Sequence, residues 1–422
     1  MIQDKGIISS PHYSTELRGA LLDFRLSEEH LMVEQMVRDF AAKEVLPGIQ
    51  EQDRAGGMAP FVLPRMAELG ILGVTIPVKY GGQGMDYISL GLVSEELEAV
   101  DTSLRVVISV HNGLSCLTLF QWGSEEQKEK FLVPLARGEK VGCGAFTEPG
   151  AGSDFAHIQA TAKKEGDDYL LNGEKMWISL ATAADFAIAT FRTDPQADPT
   201  YKGLSTFIVD LNSPGITRGD IHGKLGVRAG STGWINFQEV RVPSGNLLGK
   251  EGEGFKITMS AFDNGRYTVA AGATGLIRAS LEASKKYVGE RIVAGKLLSE
   301  FQLIQAKIAR IALDYQAARL LYLQAGWLKN QGTRNTRETS AAKWFATEAS
   351  FQAASEAVQI HGAYGYSDEY PVERYLRNAR GAMIYEGSNE VQSLIQAGYA
   401  LEKRRNKKLR CELPAYDHET WT

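Results

Sequence analysis

The chain has 422 residues, with 46 Lys plus Arg against 51 Asp plus Glu and a formal net charge of −5. At roughly 100–200 residues per domain, this length predicts two to four domains or lobes. A mildly acidic chain without a dense basic face gives no reason to expect a nucleic acid partner. Its three cysteines, Cys116, Cys143 and Cys411, are too far apart for a disulfide framework or a zinc ribbon, and no metal site is expected.

The N-terminal segment, residues 1–24, mixes acidic and basic residues and lacks the apolar stretch of a secretory signal. We treat it as an N-terminal extension. Apolar runs of roughly 18–20 residues, as needed to cross a bilayer, are not apparent in the sequence. We therefore expect no membrane span and a cytoplasmic protein.

Residues 25–140 have a helical pattern and are predicted to form an N-terminal helical domain. Ser27 precedes two glutamates and an apolar-periodic run, which is typical of a helix N-cap. Apolar residues at steps of three and four predict a further helix over Tyr87–Val100.

Residues 141–250 change character and are predicted to form a central antiparallel β domain. Turn clusters separate short β-rich runs. The predicted strands include Tyr169–Leu171, Phe186–Thr190, Ser205–Val209 and Ile235–Val242.

Long helical patterns return over residues 251–402 and predict a C-terminal bundle of four or five helices, each of 15–30 residues. Six basic residues open the remaining segment, residues 403–422. We expect this C-terminal extension to be solvated, with a strap between subunits as the alternative. The predicted fold class is α+β, mostly α.

Two segments in the β region carry polar groups suited to a ligand. Phe146-Thr147-Glu148-Pro149-Gly150-Ala151-Gly152-Ser153-Asp154 combines glycines, which allow close backbone approach, with two hydroxyl side chains. A plain turn between strands is the alternative. Met176-Trp177-Ile178-Ser179 places a large flat side chain beside a hydroxyl, so Trp177 either lies in the core or covers an aromatic cofactor.

The third segment, Tyr385-Glu386-Gly387-Ser388-Asn389-Glu390, follows the apolar pair Met383 and Ile384. A carboxylate in apolar surroundings has a raised proton affinity, as the general base for a weak carbon acid requires. A lone glutamate in a loop is more often solvated, so these residues alone leave both interpretations open.

Together the three segments resemble the acyl-CoA dehydrogenase family of flavoproteins, over roughly residues 24–404. Further matches are Lys224-Leu225-Gly226-Val227-Arg228, Phe262-Asp263-Asn264-Gly265-Arg266, Glu290-Arg291 and Gln302. The resemblance implies an N-terminal helical domain, a central β domain and a C-terminal four-helix bundle. It also implies assembly as a dimer or a dimer of dimers.

In this family a base removes the α-proton of an acyl-CoA thioester, and the β-hydrogen leaves as hydride to the flavin. The resemblance assigns the base to Glu386, whose backbone N–H would help to polarise the thioester oxygen. Some relatives carry the base at the position of Gly265, where glycine has no side chain for that role. Arg266, Tyr385 and Gly387 would line the acyl-CoA site.

The resemblance also assigns FAD contacts. Those within one subunit are Phe146, Thr147, Gly152, Ser153, Trp177 and Ser179. Those reaching a neighbouring subunit's FAD are Arg291, Gln302, Gln359 and Gly362, with Ser388 and Glu390 bordering the adenosine end. Electron-transferring flavoprotein is the implied electron acceptor.

Arg105 interrupts an apolar stretch, and Ser109 lies four residues later on the same helical face. Arg105 either reaches the surface or pairs with Glu98 or Asp101, or it binds a substrate. Glu98, Arg105 and Ser109 resemble the three residues of glutaryl-CoA dehydrogenases that hold a distal carboxylate, and Tyr385 also matches.

We therefore expect a short dicarboxylyl-CoA substrate, such as glutaryl-CoA or a substituted succinyl-CoA like benzylsuccinyl-CoA. Three alternatives stay open: a simple short-chain acyl-CoA dehydrogenase, an acyl-CoA oxidase and a non-catalytic flavoprotein. The chain length argues against the oxidase, and Glu386 argues against the non-catalytic protein.

Overall fold

A computed structural model describes residues 25–422, and a helical region, a β-sheet and a bundle of long helices follow one another along the chain. The predicted N-terminal extension, residues 1–24, lies outside the described residues. The order of the three regions and the mostly helical fold class agree with the prediction.

The N-terminal region begins at the predicted cap. The Ser27 hydroxyl accepts a hydrogen bond from the His30 N–H, and the His30 imidazole accepts one from the Ser27 N–H. The predicted helix Tyr87–Val100 has its predicted limits. The α-helices of this region are α1 (Glu28–Phe40), α2 (Ile49–Ala55), α3 (Val62–Glu68), α4 (Tyr87–Val100), α5 (Thr102–Ile108), α6 (Leu117–Trp122), α7 (Glu125–Gln127) and α8 (Val133–Ala136).

A π-helical stretch, Ser109–Cys116, joins α5 to α6 in one continuous helix. This helix, Thr102–Trp122, is 21 residues long and, by length and composition, apolar enough to cross a membrane. The prediction that the chain contains no apolar run of that length was therefore wrong. All of its apolar window is buried inside the protein, as in the core helix of a globular domain.

The central region forms an eight-stranded sheet in the order β6-β7-β3-β2-β4-β5-β8, with β1 beside β4. All four predicted strands are present and extend beyond their predicted limits. The strands are β1 (Gly142–Ala145), β2 (Thr161–Glu165), β3 (Asp168–Ser179), β4 (Phe186–Arg192), β5 (Leu204–Asp210), β6 (Ile216–Asp220), β7 (Thr232–Pro243) and β8 (Leu247–Leu248).

The sheet is mixed: five of its strand pairings are antiparallel, as predicted, and two are parallel, which the prediction did not include. β1 runs parallel to β4, with Gly142 opposite Phe186, and β2 meets β4 in parallel where Thr161 pairs with Arg192. Parallel strands need a long crossover connection. Turn signals between neighbouring strands do not reveal such pairings.

Five helices form the C-terminal bundle between residues 254 and 401, as predicted, but their lengths run from 11 to 37 residues. The longest, α9, packs against α4, α10 and α11 and so joins the first region to the bundle. The elements here are α9 (Gly254–Glu290), β9 (Ile292–Val293), β10 (Lys296–Leu297), α10 (Gln302–Asn330), α11 (Thr336–His361), α12 (Val372–Ala382), α13 (Asn389–Ala400) and, near the C-terminus, α14 (His418–Trp421).

The C-terminal extension is exposed over its basic start, residues 403–408, as expected, but its later part packs on its own chain instead of remaining solvated. Trp421 is 4% exposed, and its ring makes edge contacts with Tyr87 at 5.8 Å and Phe120 at 5.6 Å between centroids. Arg410 pairs with Glu253 at 2.6 Å. The basic start of the extension favours solvent, but the apolar side chains after Arg410 favour burial.

Candidate active site

Glu386, the candidate base, has an unusual backbone conformation. It lies in the short loop of residues 383–388 between α12 and α13, which we call the base loop. Its φ is +57° and that of Gly387 is +83°, so two successive residues are left-handed. The carbonyl of Glu386 accepts a hydrogen bond from Arg266 Nε at 3.1 Å, and the carbonyl of Gly387 accepts one from Gln392 Nε2 at 2.8 Å. The loop therefore holds Glu386 in one orientation despite the strain that a left-handed non-glycine residue carries.

The carboxylate of Glu386 lies against α9 at Gly265. A Cβ atom at residue 265 would come within 2.6 Å of both carboxylate oxygens, so the space exists because that residue is glycine. Oε2 is buried and has no hydrogen-bond partner among the described residues. A buried carboxylate oxygen without a partner is free to accept a proton from a bound molecule.

Burial raises the pKa of Glu386 to about 7, although Arg266, Arg105 and Lys343 each act to lower it. Loss of water around the carboxylate disfavours its charged form, and this effect outweighs the three cations. A carboxyl group with such a pKa is well matched to general-base chemistry at neutral pH.

The residues predicted to hold a distal carboxylate lie together. Arg105 is 1% exposed and donates through Nε to Glu98 at 2.5 Å, through Nη1 to Ser109 Oγ at 3.1 Å, and through Nη2 to the Tyr385 hydroxyl at 2.5 Å. The expectation that Arg105 reaches the surface is therefore wrong. Because Tyr385 directly precedes Glu386, this cluster adjoins the candidate base.

Arg266 connects the candidate base to the β domain. Its Nη1 donates to Asp263 at 3.0 Å, and its guanidinium lies 5.9 Å from the centre of the Phe262 ring. Phe262 in turn contacts the ring of Phe146 edge-on at 5.4 Å. The first predicted cofactor residue is thus two side chains away from the base loop.

The other predicted cofactor residues of the β domain form an accessible platform. The side chain of Trp177 is 59% exposed, which excludes a core role. Its backbone φ is 63°, and the residue lies where the pairing of β3 with β7 is irregular. The Met176 N–H donates to the Thr147 carbonyl at 2.9 Å, which joins the two motifs. Gly152 and Ser153 are exposed, and Ser179 is half-buried.

This platform fits an aromatic cofactor. An exposed indole offers a flat apolar face, and the neighbouring hydroxyls offer hydrogen bonds to a ring edge. A Cβ atom at Gly152 would meet only Thr147 Cγ2, at 4.0 Å, so a ligand has access to the backbone there.

The second predicted cofactor group lies elsewhere on the chain. Arg291, Gln302, Gln359 and Gly362 are all exposed near the end of α9, where the Arg291 guanidinium lies 5.9 Å from the centre of the Tyr364 ring. Along α9, Gly265 and Arg291 are about 39 Å apart at 1.5 Å per residue. Within one chain this group is therefore distant from the base.

The last two predicted cofactor residues come two and four residues after the candidate base. Ser388 is the N-cap of α13 and is half-buried, whereas Glu390 is exposed. A hydrogen bond from Ser388 lowers the pKa of Glu390.

The sequence interpretation missed three residues of this neighbourhood, Lys343, Gln392 and Gly272. Lys343 and Gln392 contact the base loop, and a Cβ atom at Gly272 would lie 2.1 Å from Glu98 Oε2. Two signals were available. Lys343 interrupts a face of α11 made of small buried residues, and Gly272 follows Gly265 by seven residues on one face of α9.

Family models match the three regions in order. They are the acyl-CoA dehydrogenase N-terminal domain over residues 27–139, the middle domain over 143–240 and the C-terminal domain over 252–400. The chain belongs to the acyl-CoA dehydrogenase family. It is accordingly an FAD-dependent oxidoreductase that acts on acyl-CoA.

Similar proteins differ in their named substrates. The chain is 40% identical to mouse mitochondrial short-chain specific acyl-CoA dehydrogenase, over 90% of this chain and 92% of the relative. It is 38% identical to butyryl-CoA dehydrogenase from Megasphaera elsdenii, with a TM-score of 0.88 over 90% of this chain and 100% of that one. It is also 38% identical to glutaryl-coenzyme A dehydrogenase in complex with glutaryl-CoA, with a TM-score of 0.88 over 92% of this chain and 98% of that one.

Proposed function

We propose that the chain oxidises a short dicarboxylyl-CoA, such as glutaryl-CoA or a substituted succinyl-CoA like benzylsuccinyl-CoA. Glu386 would take the α-proton of the thioester. The observation that supports the dicarboxylyl substrate is the buried guanidinium of Arg105, hydrogen-bonded to Tyr385 next to the candidate base.

Bound FAD would supply the acceptor for the β-hydrogen, which leaves as hydride. The role of the chain's own residues would be to remove and hold the α-proton. Glu386 has a free, buried carboxylate oxygen for this purpose, and a pKa near 7 lets it accept a proton and later release it at neutral pH. The backbone N–H of Glu386 would polarise the thioester oxygen, which favours the enolate that forms as the proton leaves.

Arg105 would pair with the distal carboxylate of the substrate. A cation buried away from water binds a carboxylate strongly, since charge-assisted hydrogen bonds contribute about 1.5–3 kcal/mol. Ser109 and Tyr385 would keep the guanidinium oriented, because each already accepts one of its hydrogen bonds. Arg266 and Gly387 would border the thioester end of the same site.

A simple short-chain acyl-CoA substrate is the second candidate. Glu98 already pairs with Arg105 at 2.5 Å, so the guanidinium has a carboxylate partner without any substrate. The similarity to the mouse short-chain and Megasphaera butyryl-CoA enzymes also favours it. A non-catalytic flavoprotein has less support, since it would need no base at Glu386.

The FAD site would be shared between two subunits. Phe146, Thr147, Gly152, Ser153, Trp177 and Ser179 would hold one end of FAD, with Ser388 and Glu390 beside it. Arg291, Gln302, Gln359 and Gly362 would reach it from a neighbouring copy, because they are distant from the base in their own chain.

An exposed stripe on α10 supports self-association. Leu313 is 58% exposed and Leu320 is 52% exposed, and they lie seven residues apart on one face. Exposed Ala306 and Ala309 extend this stripe toward the helix N-terminus. Such a face favours packing against another helix, in line with the proposed dimer of dimers.

Electron-transferring flavoprotein is the proposed acceptor of the electrons, on the family resemblance. The cytoplasmic location stays a prediction, since similar proteins include both bacterial enzymes and mitochondrial ones.

Substitution Arg105→Met tests the substrate proposal. We expect kcat/KM for glutaryl-CoA or benzylsuccinyl-CoA to fall by roughly 10²-fold or more, because their distal carboxylate loses its partner. Butyryl-CoA has no distal carboxylate and should lose little. The measurement is kcat/KM of the FAD-loaded enzyme for each substrate with an artificial electron acceptor.

Arg374→Met is the matched control. Arg374 is also buried in an ion pair, with Asp101 at 3.1 Å, but it makes none of the contacts of the Arg105 cluster. Its removal should not discriminate between the two substrate types. Equal losses on both substrates in Arg105→Met would contradict the dicarboxylyl assignment and leave the simple short-chain substrate.

A further inference from the structure

Lys343 is a buried lysine without a carboxylate hydrogen-bond partner among the described residues. It lies on α11 and is 0% exposed. Its Nζ donates to the Gly387 carbonyl at 3.0 Å and to Asn389 Oδ1 at 3.0 Å, and both acceptors are neutral. Burying an ammonium group is costly, so its retention at this place calls for a role.

The contacts of Lys343 fix the loop that carries the base. Three side chains from three helices hold the two left-handed residues: Arg266 on α9 binds the Glu386 carbonyl, and Gln392 on α13 and Lys343 on α11 both bind the Gly387 carbonyl. Asn389 is fixed from the same helix as Lys343, because Thr347 Oγ1 donates to Asn389 Oδ1 at 2.9 Å.

Lys343 differs from the two arginines near Glu386 in that it has no carboxylate as a hydrogen-bond partner among the described residues. Arg266 pairs with Asp263, and Arg105 pairs with Glu98, so each has its own carboxylate. The groups that face Glu386 and Lys343 from the surrounding elements are Arg105 on α5, Arg266 on α9, Tyr385 in the loop and Glu390 on α13. In the part of the chain that the structure describes, three cations lie near Glu386, and Lys343 is the one whose charge no hydrogen-bonded carboxylate offsets.

We propose that Lys343 is a positioning residue for the base: it ties down the loop at Gly387 and, by its charge, favours the ionised form of Glu386. This inference rests on the proposed role of Glu386. Burial lowers the pKa of Lys343 to about 7, and Glu386 and Glu390 act in the opposite direction.

Three substitutions separate the hydrogen bond from the charge. Lys343→Arg keeps both, Lys343→Gln keeps a donor without charge, and Lys343→Met removes both. The readout is the pH dependence of kcat/KM for butyryl-CoA, which carries no distal carboxylate, together with the FAD content and the thermal unfolding temperature of each variant.

A neutral residue at position 343 should raise the pKa of the base, because a nearby positive charge favours the carboxylate. We expect the acid limb of the profile to move to higher pH by about one unit in Lys343→Gln and Lys343→Met, and to stay within about 0.3 unit of wild type in Lys343→Arg. Lys343→Met should in addition lower the pH-independent kcat, because the loop loses a tether. If Lys343→Met does not fold, Lys343→Gln carries the test of the charge.

Lys329→Met is the control for removal of a buried lysine. Lys329 donates to Asn264 Oδ1 at 2.7 Å, and burial lowers its pKa to about 8, but it makes no hydrogen bond to the base loop. Its substitution should lower the unfolding temperature without moving the acid limb. An unmoved acid limb in Lys343→Gln would overturn the proposal.

The outcome for Glu386→Gln tells the two proposals apart. If that variant loses flavin reduction while Lys343→Gln keeps the wild-type acid limb, the role of Lys343 is refuted and the role of Glu386 stands. If Glu386→Gln reduces its flavin normally, the base lies elsewhere and both proposals fall.

Discussion

At the scale of single residues, the candidate site is built around Glu386 and the glycine opposite it, Gly265. The sequence shows the glutamate and its apolar neighbours, and from these a raised proton affinity could be predicted. The left-handed backbone of Glu386 and the close approach of its carboxylate to Gly265 could not be predicted from local sequence. Both depend on α9 and the base loop meeting in three dimensions.

The raised pKa of Glu386 predicts how activity depends on pH. Glu386, the proposed base, would work only when ionised, and its pKa is about 7, so kcat/KM should rise with pH up to about 7 and then level off. Well below that pH it should fall about tenfold per unit. The measurement is kcat/KM for butyryl-CoA across pH 5–9 with the FAD-loaded enzyme. A profile that stays flat down to about pH 5 would mean that the base has an ordinary carboxyl pKa.

For Arg105, the helical spacing predicted its neighbour, and the family resemblance added the proposed role in binding a distal carboxylate. The spacing of Arg105 and Ser109 predicted that they share a helical face, and the structure brings them together with Glu98 and Tyr385. Lys343 had no such motif to mark it. The place of Lys343 among small residues on α11 does not reveal its contact with the base loop, because that contact depends on how α11 packs against the loop.

At the scale of elements, sequence periodicity was most reliable for helices with clear ends. Asp86 caps α4 by accepting a hydrogen bond from the Ser89 N–H at 2.8 Å, and the predicted limits of that helix are the observed ones. The parallel pairing of β1 with β4 was missed because it joins segments about 40 residues apart. Its register depends on the tertiary fold and not on a local turn.

The C-terminal extension is the element whose prediction changed most. Besides its contacts through Arg410 and Trp421, it accepts a hydrogen bond from Gln121 Nε2 at the Cys411 carbonyl, at 2.9 Å. It also meets the α10–α11 connection, where Arg334 Nη1 donates to the Lys407 carbonyl at 2.6 Å. The extension thus joins the N-terminal region, the start of α9 and the bundle.

Removing the aromatic anchor of the extension should destabilise the protein. Trp421→Ala deletes a buried ring that packs on Tyr87 and Phe120, and large-to-alanine changes of buried aromatics typically cost about 3–5 kcal/mol. We expect a clear fall in the thermal unfolding temperature of the FAD-loaded protein, measured by differential scanning calorimetry. Met32→Ala is the control, since Met32 is 71% exposed and its loss should change little. An unchanged unfolding temperature in Trp421→Ala would mean that the extension does not pack in this way in solution.

At the scale of the whole molecule, α9 connects the parts of the site. It carries Gly265 and Arg266 beside the candidate base and Gly272 beside Glu98, and its C-terminal end adjoins Arg291 of the second predicted cofactor group. The order of helical, β and helical regions could be predicted from the sequence, whereas the proposed limits at residues 140 and 250 stay predictions. How two copies would share FAD depends on contacts between chains, which the sequence of one chain does not encode locally.

The most direct test of the account is anaerobic reduction of bound FAD by acyl-CoA in wild type and in Glu386→Gln. The amide keeps the shape of the side chain but cannot accept the α-proton. Stopped-flow absorbance of the flavin, with FAD content and acyl-CoA binding measured alongside, gives the rate of reduction. We predict rapid flavin bleaching by wild type and a loss of at least about 10²–10⁴-fold in a Glu386→Gln variant that still binds FAD and acyl-CoA. Bleaching by the variant at the wild-type rate would contradict the assignment of Glu386 as the base.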